Sequence, residues 1–422
     1  MPPDPRPIRR REFLRLAAGT ASCLLAPPSL LRAFAAEDEE MPRSRAGRYA
    51  LLHRLVGEPQ ASLPPSRLPE IGSLQAADAN GIQLPEGFSS RLIATAGERP
   101  VASSTYRWHG SPDDGDTFEH PDGGWIYVSN SELDGGSGGV GALRFDANGE
   151  LVDAYSIMSG GRRNCAGGRT PWGTWLSCEE VSNGLVWECD PMGEESARSY
   201  PSLGRFNHEA AVADPLTGVI YLTEDRSDGR FYRFTPDEVD SDGRSNLESG
   251  TLEVARTDDD DTVSWIGLSD PAGSSVSTRR QVPSSTAFNR GEGMVYHDGT
   301  VYFTTTGDHR VYGYRIAEQS MEIIYNRATA DRRILGSPDN IDVTHDGHLL
   351  VAEDGDNLEI VVITTDGDVL PLLRLVGHSG SEITGPAFSP DMTRLYFSSQ
   401  RGRSGSLSDG LTYEVTGPFL ES

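Results

Sequence analysis

The sequence predicts an all-β chain folded as a single β-propeller of about six blades. Two observations predict it. One unit recurs roughly every forty to fifty residues: a polar or acidic start, an apolar strand, a Gly-containing turn, then a second strand with a polar end. The turns carry Asp-Gly or Pro-Asp pairs, as in Pro121-Asp122-Gly123, His297-Asp298-Gly299, His345-Asp346-Gly347 and Ser389-Pro390-Asp391. These residues favour tight reversals between strands. The strands they serve alternate or are wholly apolar, as in Trp125-Ile126-Tyr127-Val128, Val219-Ile220-Tyr221-Leu222 and Leu349-Leu350-Val351. A pair of β-sandwiches would need no such regular period.

Residues 1–35 read as an export signal. Arg10-Arg11-Glu12-Phe13-Leu14 is a twin-arginine motif, a short apolar stretch follows, and Ala33-Phe34-Ala35 is a small-x-small cleavage site. The twin-arginine machinery is therefore an expected partner, and a periplasmic or secreted location follows. Residues 36–84 contain Pro and Ser, are weakly periodic, and predict a wrapping arm with a short helix near Arg48 and His53. Residues 85–422 predict the propeller. One doubled interval, about 240–288, holds either an insertion or an extra blade, and its run of four Asp at 258–261 predicts a solvated loop. No later stretch approaches the length of an apolar membrane span, so stable membrane insertion is not expected.

The formal charge is −26, from 37 basic and 63 acidic residues, and the chain contains no Lys. Schiff-base and P-loop lysine chemistry are thereby excluded. Nucleic acid is not expected as a partner, because a phosphate backbone needs a basic face. The acidity suits an oxygen-rich cage for hard cations, although adaptation to salty surroundings would also produce it. Beyond the signal lie Cys165, Cys178 and Cys189, an odd number, of which Cys178 and Cys189 could bridge a hairpin or stay as buried thiols.

The densest chemistry lies in residues 164–180, NCAGGRTPWGTWLSCEE. Gly167 and Gly168 predict a tight turn beside Cys165, and a strand then ends at Glu179 and Glu180. A thiol beside carboxylates is a plausible metal grip, and a buried Cys beside solvated acids is the plain alternative. In a propeller, equivalent strand ends of all blades point at one axis. The repeat places Asn130, Glu132, Glu179, Glu180, Glu209, Glu292, Asp339, Asn340, Glu353 and Asp354 near such ends. So many carboxylates in one cup would raise one another's pKa values, and cations are the simplest compensation. Spread around the rim, they would need none.

The stretch 164–180 resembles the PhoX-type alkaline phosphatases, whose motif runs close to NCAGG-TPWGTW-x-x-CEE. The likeness continues through Phe206-Asn207-His208-Glu209-Ala210, Arg290-Gly291-Glu292-Gly293, Pro338-Asp339-Asn340 and Glu353-Asp354, roughly residues 85–400. The resemblance implies hydrolysis of small-molecule phosphomonoesters at a mixed centre of Fe3+ and Ca2+ on a propeller axis. It implies Cys165, Glu180, Glu209 and Glu292 as iron or bridging ligands, with Glu179 beside them, and Asp339, Asn340, Glu353 and Asp354 as calcium ligands. Asn130-Ser131-Glu132 resembles the family's Asn-His-Glu with Ser in the middle. Arg290 and Asn130 are the implied catalytic residues, Arg290 gripping phosphoryl oxygens. A monomer is expected. Two other classes remain open: a calcium-dependent lactonase or esterase, which needs neither Cys165 nor Arg290, and a non-catalytic calcium-binding propeller. Changing Arg10 and Arg11 both to Lys is expected to hold the precursor in the cytoplasm. Cell fractionation showing normal export of the double variant would refute the pathway assignment.

Overall fold

The computed structural model describes residues 63–355 and 357–421, so the signal segment and the helix expected near Arg48 lie outside the described residues. Six antiparallel sheets of four or five strands form the six blades of a propeller. The inner strands of blades 1 to 6 are Pro112–Glu119, Asn164–Arg169, His208–Ala213, Gly291–His297, Pro338–Val343 and Ile383–Phe388. The second strands are Trp125–Ser131, Trp175–Glu179, Ile220–Glu224, Thr300–Thr305, Leu349–Glu353 and Arg394–Ser399.

Each blade is covered on both faces by its neighbours, so its second strand is close to continuously buried. All seven residues of Trp125–Ser131 are buried. Alternation then sends successive side chains to different neighbours. Trp125 and Tyr127 pack with Tyr396 of blade 6, while Ile126 and Val128 pack with Trp175 of blade 2. The buried apolar residues accordingly fall into six clusters, one at each junction between blades. Cys178 and Cys189 belong to different clusters and both are free, so they form no disulfide.

The 240–288 interval is not a seventh blade. Its strands Gly250–Thr257 and Val263–Gly267 are the fourth and fifth strands of blade 3. The ring is closed by the N-terminal segment. Ser89–Thr95 pairs with Leu411–Thr416 as the outer strand of blade 6, and Ile82–Gln83 adds a fifth strand to blade 5.

One irregularity repeats around the axis. In blades 1 to 5 the first inner-strand residue pairs with the last residue of the second strand, and the next two residues then bulge. The bulged pairs are Asp113-Asp114, Cys165-Ala166, Glu209-Ala210, Glu292-Gly293 and Asp339-Asn340. In blade 6 the bulge comes one step later, after Thr384. Glycines next to these bulges let neighbouring inner strands touch. A Cβ on Gly168 would stand 1.9 Å from the carbonyl oxygen of Ala211 on blade 3, and one on Gly293 would stand 2.7 Å from Cα of Asn340 on blade 5. Backbone cannot yield as a flexible side chain can, so Gly168→Ala is expected to cost about 2 kcal/mol through overpacking. Gly267→Ala, which meets nothing within 4 Å, should change stability by less than about 0.5 kcal/mol. Equal melting curves for the two variants would contradict the close approach of blades 2 and 3.

Candidate metal centre

In blades 1 to 5 the bulge puts one side chain on the axis: Asp113, Cys165, Glu209, Glu292 and Asp339. In blade 6 the equivalent position, second in the inner strand, is Thr384, which precedes its bulge. A second ring comes from the residue just after each second strand: Glu132, Glu180, Asp225, Thr306, Asp354 and Gln400. A third comes from the residue just before each inner strand: Ser111, Arg163, Asn207, Arg290, Ser337 and Glu382. In five of the six blades a backbone hydrogen bond of about 3 Å ties the third ring to the second, from Glu132, Glu180, Thr306, Asp354 and Gln400 N–H to Ser111, Arg163, Arg290, Ser337 and Glu382 carbonyls. Residues separated by hundreds of positions thus meet in one cup.

Three sets of ligand-capable atoms form there, each with all atoms within 4.8 Å of one another: Asp113, Glu132 and Cys165; Glu209, Glu292 and Asp339; Asp339, Asp354 and Glu382. Asp339 belongs to the second and third sets and joins them into one acidic site, with the first set beside it. The Cys165 Sγ lies 3.6 Å from Asp113 Oδ2. Gln400 Nε2 bridges the first set, donating to Asp113 at 2.6 Å and Glu132 at 3.0 Å. Glu209 is buried, and neither of its carboxylate oxygens has a hydrogen-bond partner. A buried carboxylate with no donor is strongly disfavoured unless a cation or a proton completes it.

The electrostatics agree. Burial first, and the neighbouring Glu132 second, push Asp113 up to about 7. Burial, reinforced by Asp225 and Glu132 against the pull of Arg163, pushes Glu180 up to about 8. Glu209, Glu292, Asp339 and Glu382 are driven well above the usual carboxylate range by burial first and then by neighbouring acids, Glu292 for Glu209 and Asp339, Asp225 for Glu292 and Asp354 for Glu382. Burial and the surrounding acids likewise raise the Cys165 thiol. The donor set of clustered carboxylates and one thiol therefore fits bound cations, which would lower all of these values together.

The other sequence-predicted residues fall in two groups. Glu180, Glu132 and Asp354 face the cup. Glu179 and Glu353 do not: each is the last residue of a second strand, and alternation turns it away from its cup-facing successor. Glu179 takes hydrogen bonds from Arg162 Nη2 (2.9 Å) and Leu185 N (3.2 Å), and Glu353 from Gly336 N (2.5 Å) and Glu359 N (3.0 Å). Their oxygens tie down neighbouring loop backbone, and neither joins a ligand-capable set among the described residues. The amide of Asn130 is fully used: it donates to the Cys165 and Ala166 carbonyls at 2.8 and 3.0 Å, and accepts from Trp175 Nε1 and Ser177 Oγ at 2.9 and 2.8 Å. It positions the bulge that carries the thiol and has no donor left for a substrate. Asn340 donates to Asp339 Oδ1 at 3.2 Å and accepts from Gly385 N at 2.7 Å, orienting the Asp339 carboxylate rather than joining a set. Arg290 stands at the mouth, its Nε and Nη2 on Asp225 at 3.0 and 3.3 Å and its Nη2 3.1 Å from Glu292.

Sequence reading missed Asp113, Glu382 and Asp225. Pro112-Asp113-Asp114 repeats Pro338-Asp339-Asn340 and could have revealed the first. Asp225 follows Glu224 as Glu180 follows Glu179. Glu382 was hidden because blade 6 starts earlier than its Gly385-Pro386 signal.

These shifts set a pH dependence. Between about pH 4, where the unfolded carboxylates ionise, and the raised folded values near 7 and 8, the folded metal-free protein holds more protons than the unfolded chain. Its stability must therefore fall as pH rises through that window. Chelator-treated protein is expected to melt at a lower temperature at pH 9 than at pH 5, and added calcium should rescue it far more at pH 9. A melting temperature that rises with pH in chelator would contradict the buried acidic cup.

The PhoX alkaline phosphatase family model matches residues 126–325 and 315–402. Among solved structures, Pseudomonas fluorescens PhoX in complex with vanadate, described as a transition-state analogue, superposes with a TM-score of 0.67 at 18% identity, over 82% of this chain and 98% of that one. A gluconolactonase from Xanthomonas campestris gives a TM-score of 0.46 at 13% identity, over 82% and 98% of the two chains. A calcium-binding regucalcin from Agrobacterium tumefaciens gives 0.42 at 15% identity, over 76% and 98%. A search of curated protein sequences returns no significant match. With both family segments lying across the blades that supply Glu132, Cys165, Glu209, Glu292 and Asp339, the chain belongs to the PhoX alkaline phosphatase family.

Proposed function

We propose that this protein is an exported phosphatase that hydrolyses small phosphomonoesters at a mixed iron and calcium centre in the axial cup. The observation that carries the reading is Glu209. Both of its oxygens are buried without a hydrogen-bond partner, in a ligand-capable set with Glu292 and Asp339, in a member of a phosphatase family. The vanadate bound by the Pseudomonas relative mimics a phosphoryl group in flight, which suits the same chemistry here.

Asp113, Glu132 and Cys165 would hold the metal that tolerates a thiolate, for which iron is the better match. Glu209, Glu292, Asp339, Asp354 and Glu382 offer only oxygen, the donor preferred by calcium. Bound there, the cations would supply Lewis acidity toward the phosphoryl oxygens. The chain's own residues do the rest. Gln400 fixes the orientation of Asp113 and Glu132. Asn340 fixes Asp339, and Thr306 Oγ1 donates to Glu292. Arg290 presents a planar guanidinium at the mouth, steadied by Asp225, where it can grip phosphoryl oxygens and strengthen as charge builds on them. Its backbone is held at φ 57, a left-handed conformation shared by Ser111 and Arg163 at the equivalent positions of blades 1 and 2. Cys165 in a ligand set and Arg290 at the mouth favour this reading over a lactonase, which needs neither.

Protein exported by its own pathway is expected to contain iron and calcium by elemental analysis, and Cys165→Ser should lose iron preferentially. Arg290→Ala should slow hydrolysis of a simple aryl phosphate about a hundredfold, the loss of roughly 3 kcal/mol of transition-state stabilisation, with metal content unchanged. Calcium alone in folded wild type, or activity lost by Arg290→Ala only together with its metals, would sink the assignment.

A further inference from the structure

Arg290 has a counterpart. Arg163 occupies the same third-ring position on blade 2 that Arg290 occupies on blade 4, directly before the inner strand. The two share a left-handed backbone, φ 49 and φ 57, and each carbonyl accepts from the second-ring N–H of its own blade, Glu180 and Thr306. Their side chains run the same course. Each guanidinium leans toward the preceding blade and places Nε and Nη2 on its second-ring acid: Arg163 on Glu132, with Nε at 2.8 Å, and Arg290 on Asp225. Each then turns Nη2 to an acid of its own blade, Arg163 to Glu180 at 2.5 Å and Arg290 to Glu292 at 3.1 Å. The side chains are 39% and 42% exposed, so both reach solvent at the mouth of the cup. Among the described residues, the Nη1 group of neither has a side-chain or backbone acceptor.

A structural ion pair needs none of this duplication. Ser111, at the same position of blade 1, is left-handed too (φ 48), so the backbone belongs to the blade geometry. What distinguishes Arg163 and Arg290 is a guanidinium clamped between acids of two adjacent blades with its Nη1 edge left over. Arg162, next in sequence, shows the ordinary alternative: it turns away from the cup to Glu179.

We propose that Arg163 is a second anion-gripping residue of the cup, binding oxygens of the substrate's phosphate group with its Nη1 face from the blade 2 side while Arg290 does so from blade 4. This rests on the phosphatase reading above. In this arrangement Glu132 and Glu180 both help hold cations and keep the Arg163 guanidinium aimed, as Asp225 and Glu292 do for Arg290. Phosphate would meet two planar forks approaching from different blades, a geometry a lysine could not reproduce.

The test titrates inorganic phosphate into metal-replete, full-length mature protein by calorimetry, with aryl phosphate turnover and elemental analysis on the same samples. Arg163→Ala is expected to weaken phosphate binding about tenfold or more at unchanged metal content and melting temperature, and Arg163→Lys to recover only part. Raised KM with lowered kcat should accompany the loss. Phosphate affinity unchanged in Arg163→Ala would overturn the proposal, and so would a loss that tracks metal content, since Arg163 would then only position Glu132 and Glu180. Wild type that fails to bind phosphate overturns it as well. Wild type that binds phosphate without turning over aryl phosphate counts against the phosphatase reading alone, because the Arg163 comparison still reads out through affinity.

Discussion

The mutual repulsion of buried carboxylates is the constraint around which this molecule is arranged. Asp113, Glu209, Glu292, Asp339 and Glu382 all lie in one cup, and burial alone would make each a poor anion. No single strand or loop could hold them together against that repulsion. Six blades, each anchored by apolar packing to two neighbours, can. The six clusters at the blade junctions supply the adhesion, and the acidic centre draws on it. The rim arginines Arg163, Arg290 and Arg401 relieve part of the repulsion from outside, Arg401 by its 3.0 Å contact with Glu382.

The bulge converts a repeating fold into a site. Regular alternation would have sent Asp113 and Asp114, or Asp339 and Asn340, to opposite faces of the sheet at a fixed tilt. The extra residue instead re-aims the first of each pair at the axis and lets the second serve the backbone or an adjacent blade. Asn340, reaching across to Gly385 N, and Asn130, reaching to the Cys165 carbonyl, both stitch neighbouring blades at the level of the ligands. Small residues beside the bulges permit the approach. Gly167 and Gly168 form no tight turn, contrary to the sequence expectation: both lie within the strand Asn164–Arg169, where Gly167 packs on Trp175 of its own blade and Gly168 lets blade 2 approach Ala211 of blade 3.

The period and the turn residues made the propeller legible, because each blade repeats the same local problem of reversing a strand. The cup-facing residues were legible where a thiol or acid stands beside a fixed marker, as Cys165, Glu209, Glu292 and Asp339 do. What failed was direction. Glu179-Glu180 and Glu353-Asp354 look alike as acidic pairs, yet only the second of each pair faces the cup, and that depends on which residue ends the strand. Asn130 was read as a catalytic group, but its amide is consumed by Trp175, Ser177 and two carbonyls, partners that no local pattern announces. Glu382 was missed because its bulge is displaced by one residue. The doubled interval in the repeat held a wider blade rather than another one, since extra outer strands add length without adding an axial residue.

The closure of the ring has a consequence for the birth of the protein. Blade 6 takes its outer strand, Ser89–Thr95, from ahead of blade 1 and its other three from the end of the chain, down to Leu411–Thr416. Asp113 and Glu382, which complete the first and third ligand sets, come from blades that become neighbours only at that junction. A nascent chain therefore cannot assemble the cup while it is still being translated. Ser89–Thr95, made early, waits for its partner Leu411–Thr416, made more than three hundred residues later. An intact cup therefore depends on the closing seam between Ser89–Thr95 and Leu411–Thr416.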